Sequence, residues 1–212
     1  MLREAPFWVL TLLPVIFLIS VWDKIGDTVP MHYNLSGEAD RWGSKSALFW
    51  TLLIVPVLLY VLLLVVPKID PKQLLQQMGE KYYMIRFTIT VMLSALFLLM
   101  VYSNAYNNDI FHASVYAIVG LLFLLLGNYM RNIKPNYFVG FRTPWTLENQ
   151  SVWKLTHLHS SVVWVIGGLI MLMLNLWQGV PYIQYINMSI IGLLILDPII
   201  YSYYKFQHFK KS

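Results

Sequence analysis

Residues 47–66, ALFWTLLIVPVLLYVLLLVV, run without one charged side chain. A helix of about twenty such residues crosses the roughly 30 Å hydrocarbon core of a bilayer. A span of that kind pairs its own backbone groups, which lipid demands because it offers them no other partner. The rest of the chain repeats the pattern. Residues 111–130 are apolar apart from His112, Ser114 and Asn128, residues 160–177 and 180–204 supply two more runs, and 7–22 and 87–102 are shorter runs with aromatic flanks. At 58% hydrophobic and 12% charged residues, the 212-residue chain has too little polar surface for a soluble domain. The expected fold is an all-α membrane protein with six transmembrane helices.

Arg3 ahead of the first run resembles the start of a signal peptide, but the run ends in LISVWDKIG. Trp22 stands where a cleavage site wants a small residue, so the segment is expected to remain as an anchor. Lys and Arg set the orientation, because cytoplasmic loops carry their excess. With the N-terminus inside, twelve of the fifteen Lys and Arg face the cytoplasm, and Lys24, Arg41 and Lys45 face out. Arg86 counts among the inner-loop cations. Both termini are therefore expected to be cytoplasmic. The net charge of +5 follows from this bias and calls for no nucleic-acid partner. With no cysteine, the chain has no thiol chemistry and no disulfide.

Three connections hold most of the polar residues. The outer loop 23–46 is expected to be ordered, with LSGEAD as a turn between two extended pieces. The inner linker 67–84 reads as a short surface helix after Pro71. The third is an inner cassette, 131–159. The expected organisation is an N-terminal helix pair with its extracytoplasmic loop, 1–66, followed by a four-helix membrane domain, 67–212, that carries the cassette. Gly120, Gly127, Gly167 and Gly168 mark places where helices approach closely. No internal repeat is visible, which counts against an inverted-repeat transporter.

Within the cassette, GFRTPWTLENQSVWKLTHLHSS starts at Gly140. Either Thr143, with Pro144 in the first turn, or Thr146 can cap a helix. Glu148 then sits in the first turn, where the helix dipole favours an anion. Leu147, Val152, Leu155 and Leu158 share one face, with Gln150, Lys154 and His157 opposite, so 140–159 reads as an amphipathic inner segment. Trp145 and Trp153 anchor it as an interfacial ledge or form a ligand or partner site. His157 and His159 point about 200° apart on a helix and cannot chelate one ion together. The acids of the outer loop lack the calcium-loop spacing, and Asn34-Leu35-Ser36 matches a glycosylation sequon only formally. No metal, cofactor or catalytic constellation is expected, so the protein is read as a non-enzyme.

Asp197-Pro198 is the sharpest signal inside a span. Asp197 lies about 12 Å below the boundary at Lys205, and an acid there needs a partner or a proton. Arg142 is the expected partner, in a structural pair. The other reading is a proton or substrate relay.

The motif GFRTPWTLENQSVWKLTH resembles the C-terminal signature of the SdpI-type immunity proteins. VPMHYNLSGEADRWGSK is similar to the N-terminal segment of that group, a domain of unknown function. The inner match comprises Gly140, Arg142, Thr143, Pro144, Trp145, Thr146, Leu147, Glu148, Trp153 and Lys154. The outer one comprises Pro30, His32, Asn34, Gly37, Asp40, Trp42 and Gly43. The resemblance implies a multi-pass protein of the bacterial cell membrane that protects its cell from a secreted, membrane-active toxic peptide and sequesters a cytoplasmic repressor. Ligand or partner contacts would then fall on Arg142, Thr143, Pro144, Trp145, Glu148, Trp153 and Asp197 inside, and on His32, Asn34, Asp40 and Trp42 outside. The alternative is a proton-coupled transporter or exporter of small amphipathic molecules that uses Asp197.

Overall fold

A computed structural model describes residues 2–34, 38–71, 73–107, 110–177 and 180–211. Six long helices and one short one follow the apolar runs: α1 (Ala5–Ser20), α2 (Lys45–Ile69), α3 (Glu80–Tyr106), α4 (Ile110–Met130), α5 (Pro144–Glu148), α6 (Gln150–Leu176) and α7 (Ile183–Lys211). The last two overrun their apolar cores. The α6 helix begins ten residues before the run at 160, because Asn149 caps it by accepting from the N–H groups of Ser151 and Val152 at 2.8 and 3.1 Å. Among the described residues, four helices, α2, α3, α6 and α7, are long and apolar enough to cross a membrane, and α1 is a shorter apolar helix.

The all-α expectation needs one amendment. Between α1 and α2 the chain forms a hairpin of β1 (Thr28–Tyr33) and β2 (Ala39–Ser44), antiparallel, with Val29 opposite Gly43 and Pro30 opposite Trp42. The register shifts after Pro30, whose nitrogen has no proton for the ladder. Leu35, Ser36 and Gly37, including part of the sequon, lie outside the described residues. Ser44 ends the hairpin and caps α2 by accepting from Ala47 N–H at 3.1 Å.

Two cores fix the ends of the bundle. Val15, Leu18, Ile25, Val29, Leu48, Leu52 and Val101 pack together, so the hairpin sits on one end of α1, α2 and α3. Val66, Leu75, Met78, Tyr82, Met130, Ile133, Phe141 and Trp153 form the other core, which joins the linker and the cassette. Hairpin and cassette therefore occupy opposite ends of the helices. The surface helix expected after Pro71 is not formed. A 3-10 turn, Gln76–Met78, stands there with Leu75 and Met78 buried. The side chain of Asp70 accepts from the N–H groups of Leu74 and Leu75, at 3.1 and 3.3 Å, and folds the linker under the bundle.

The glycines mark the closest helix contact, that of α4 with α6. A Cβ on Gly168 would meet the Gly120 carbonyl oxygen at 2.5 Å, and one on Gly127 would meet the backbone of Val165 at 2.9 Å. Only glycine permits this approach, which brings backbones together without a hydrophobic driving force between helices. Leu58, Val162, Ile166, Leu193 and Ile200 are exposed on the outside, as lipid-facing side chains are.

Candidate functional site

The cassette is held by its own polar groups before it meets the helices. The Asn136 carbonyl oxygen accepts from the N–H groups of Phe138 and Val139, both at 2.7 Å, while its amide donates to the carbonyls of Lys134 and Val139. This knot delivers Gly140 at φ +103°, where an added Cβ would lie 2.4 Å from His157 Nε2. The next residue uses that nitrogen: Phe141 N–H donates to His157 Nε2 at 3.0 Å. A backbone N–H only donates, so Nε2 is the acceptor and the proton is on Nδ1, which donates to the Trp153 carbonyl at 2.9 Å. His157 lies stacked on Trp153, with ring centroids 4.2 Å apart, and against Phe141 at 5.0 Å. Trp153 closes the circuit by donating from Nε1 to the Ile133 carbonyl at 2.8 Å.

Of the two possible caps, Thr143 is the one used. Its hydroxyl accepts from Thr146 N–H at 3.2 Å, and Thr143 N–H donates to the Thr146 hydroxyl at 3.0 Å. Pro144 occupies the first helical position, where no N–H is missed. Asn149 is extended and breaks α5 from α6. The Thr143 hydroxyl also donates to Ser202 Oγ at 2.9 Å, and Trp145 packs on Tyr203 with centroids 5.1 Å apart. The cassette is thereby docked on α7.

Asp197 does not pair with Arg142. Its carboxylate is bonded to His159 Nε2 at 2.9 Å and accepts from Ser160 Oγ at 2.6 Å, both on α6. His159 stacks flat on Tyr201, one turn along α7. Arg142 is exposed on the loop and donates to the Tyr137 carbonyl at 2.6 Å. The geometric reason is that Asp197 faces α6 inside the bundle, whereas Arg142 precedes the α5 cap and turns to its own loop. His157 and His159 thus serve two separate networks.

The amphipathic reading of 140–159 holds for Val152, which is buried, and for Gln150 and Lys154, which are exposed, and fails for His157, Leu147 and Leu158. Val152, Trp153, Thr156, His157 and Ser160 are buried, while Leu147 and Leu158 are exposed. In lipid an outward leucine loses nothing, and polar side chains seek partners inside. Glu148 and Lys154 are exposed.

At the hairpin, His32 Nδ1 lies 2.6 Å from Asp40 Oδ1 across the strands. Asn34 closes the turn, its side-chain oxygen accepting from Glu38 N–H at 2.9 Å. Trp42 is 58% exposed. These residues form a surface separate from the cassette.

One polar cluster went unnoticed in the sequence. Arg86 is a buried part of α3 rather than a loop cation; it pairs with Glu4, and its guanidinium lies 4.6 Å from the Phe7 ring centroid. Tyr60 of α2 donates to the same Glu4 carboxylate at 2.7 Å. The signal was available: Arg86 directly precedes the apolar body of its helix, where a buried cation needs an acid, and Glu4 directly precedes α1.

Comparison with known proteins accords with these two ends. Residues 132–202, which hold the cassette and its α6–α7 dock, match the SdpI/YfhL protein family. Residues 9–60, which hold the hairpin, match a domain of unknown function, DUF1648. The chain is 34% identical over 93 residues to Immunity protein SdpI of Bacillus subtilis (strain 168). That match covers 44% of this chain and 43% of the relative, so it spans less than half the relative's length. No solved structure matches. The chain is a multi-pass cell membrane protein in which a segment similar to DUF1648 precedes one similar to the SdpI/YfhL family.

Proposed function

We propose that the protein is a non-enzymatic immunity and sensing protein that protects its cell against a secreted, membrane-active peptide toxin. The observation that carries this reading is the likeness to Immunity protein SdpI. In this proposal all six long helices cross the membrane, with both termini and the cassette in the cytoplasm and the hairpin outside. The 1–66 unit meets the peptide through His32, Asn34, Asp40 and Trp42. The 67–212 unit presents Arg142, Pro144, Trp145 and Glu148 to a cytoplasmic repressor. Their separation by the length of the helices suits a protein that reads one side and reports on the other.

Survival of toxin-sensitive cells expressing the chain tests the proposal. Wild type should protect, and Arg142→Ala should lose signalling without loss of folded protein, because Arg142 is exposed and bonds only one loop carbonyl. Equal killing with and without the wild-type chain removes the immunity reading for that toxin.

The transporter reading draws support from the His159–Asp197 pair, which places two ionisable groups within the helices. It requires that Asp197→Asn abolish proton-coupled flux in vesicles while the protein stays folded. Flux equal to wild type in that variant eliminates it.

A further inference from the structure

Where α5 ends and α7 runs out, a groove of about 350 Å³ is lined by Glu148, Asn149, Phe206, Phe209 and Lys210. Its volume falls near the lower end of the range for small-ligand pockets, about 300–1,000 Å³. The two charges that line it are opposite in sign, yet Glu148 and Lys210 make no ion pair with each other or with any other described residue. Asn149 adds a directed donor. Its side-chain oxygen is taken by the N–H groups of Ser151 and Val152, which leaves its amide Nδ2 as the free end of the side chain. One groove therefore offers a carboxylate acceptor, an ammonium and an amide as donors, and two phenyl rings.

Its level in the membrane can be read from its neighbours. Trp145 and Tyr203 pack together beside it, and Lys205 lies over the rings of Tyr201 and Tyr204 at 5.5 and 5.8 Å. Aromatic rings and snorkelling lysines of this kind gather at the headgroup boundary of a span. The groove opens where α6 begins, at its capping residue Asn149.

We propose that this groove binds the headgroup of an ethanolamine phospholipid. Glu148 accepts from the primary ammonium, Lys210 and Asn149 Nδ2 donate to the phosphate, and Phe206 and Phe209 cover the glycerol end. A choline headgroup fills the same space but has no N–H for Glu148. A glycerol headgroup has no cation at all. The site therefore selects for a primary amine and against both alternatives.

The full-length protein, stripped of lipid in detergent, is titrated with dioleoyl phosphatidylethanolamine, phosphatidylcholine or phosphatidylglycerol, and bound lipid is counted by native mass spectrometry. Wild type should retain the ethanolamine lipid about tenfold better than the choline lipid, as expected for one charge-assisted hydrogen bond. Glu148→Gln should shrink that preference to about twofold or less, and Lys210→Gln should weaken both lipids alike. Both side chains are at the surface, and unchanged melting of each variant verifies its fold. Equal retention of the three lipids by wild type overturns the proposal, as does an ethanolamine preference that survives Glu148→Gln. A preference for phosphatidylglycerol overturns it too, since that is bulk attraction to a basic membrane face. None of these readouts involves a toxin, so failure here leaves the immunity reading untouched.

Discussion

Trp164 Nε1 donates to the Leu194 carbonyl at 2.9 Å, across the α6–α7 contact. That carbonyl is the one Pro198 leaves without its intrahelical donor, because proline has no N–H to give four residues back. The break in α7 is thus answered by an indole from the neighbouring helix, and the proline becomes part of the joint between the two.

Replacing the indole tests this joint. Trp164→Phe keeps an aromatic body against Phe123 and Phe141 but removes the donor. The expected loss is about 0.6–1.7 kcal/mol, from the average to the largest value measured for hydrogen bonds between helices in a membrane. Pro198→Ala restores the intrahelical N–H, so Trp164→Phe in that background should be milder. A double-mutant cycle by denaturant unfolding in mixed micelles measures the difference. Additive losses would show that the indole does not stand in for the missing proton donor.

Gly140→Ala should disorganise the cassette. A side chain at φ +103° costs roughly 1–3 kcal/mol in backbone strain alone, before any clash. The added methyl also lies 2.4 Å from His157 Nε2, a ring wedged between Trp153 and Phe141 that has no free direction to move. The variant should lose the Phe141–His157 bond, and the indole of Trp153 should then emit at longer wavelength as its packing loosens. Eight tryptophans share the signal, so the reading is made with the half-buried Trp145 and the exposed Trp8, Trp42, Trp50 and Trp177 replaced by phenylalanine. An unchanged spectrum with unchanged stability would contradict this account.

The His159–Asp197 pair makes a signed prediction. His159→Ala leaves the Asp197 carboxylate with only Ser160, and a stranded acid of this kind costs about 1–3 kcal/mol. Adding Asp197→Asn should recover part of that loss, because a neutral amide tolerates lipid surroundings better than an unpaired charge. Unfolding of the single and double variants decides it. A double variant less stable than His159→Ala alone would mean that the carboxylate has another stabilising partner.

These relationships differ in how much of them the sequence carried. The helices were legible because residues 47–66 and their counterparts have the length and apolarity that lipid requires, and the cap was narrowed to Thr143 or Thr146, of which the structure uses Thr143. The sides of α6 were not, because periodicity shows that Leu158 and His157 differ in direction but not which direction is inward. In water the leucine would go in; among lipid chains it stays out and His157 turns to Phe141 and Trp153. The partner of Asp197 was missed for a related reason. Charge alone suggested Arg142, while the facing helix offered a histidine, and which helices face each other is set by contacts such as Gly120 on Gly168 that spacing only hints at. Arg86 was hidden by its place near a helix start, where it reads as a loop cation until α3 is seen to begin at Glu80.

The remaining prediction concerns sidedness, on which the proposed relay depends. Hairpin and cassette sit at opposite ends of the helices, so a probe at each end should respond oppositely to an impermeant thiol reagent on intact cells. The chain has no cysteine of its own, which leaves single introduced ones without background. Ser151 is exposed just beyond the Asn149 cap and suits the cassette end. At the hairpin end Arg41 suits better than Ser44, because the Ser44 hydroxyl caps α2 and a thiol would weaken that cap. Arg41→Cys should be labelled on intact cells, and Ser151→Cys only after the membrane is opened. Labelling of both on intact cells would leave the cassette outside, and the exposed Arg142 and Glu148, with the half-buried Trp145 between them, would then have no cytoplasmic protein to meet.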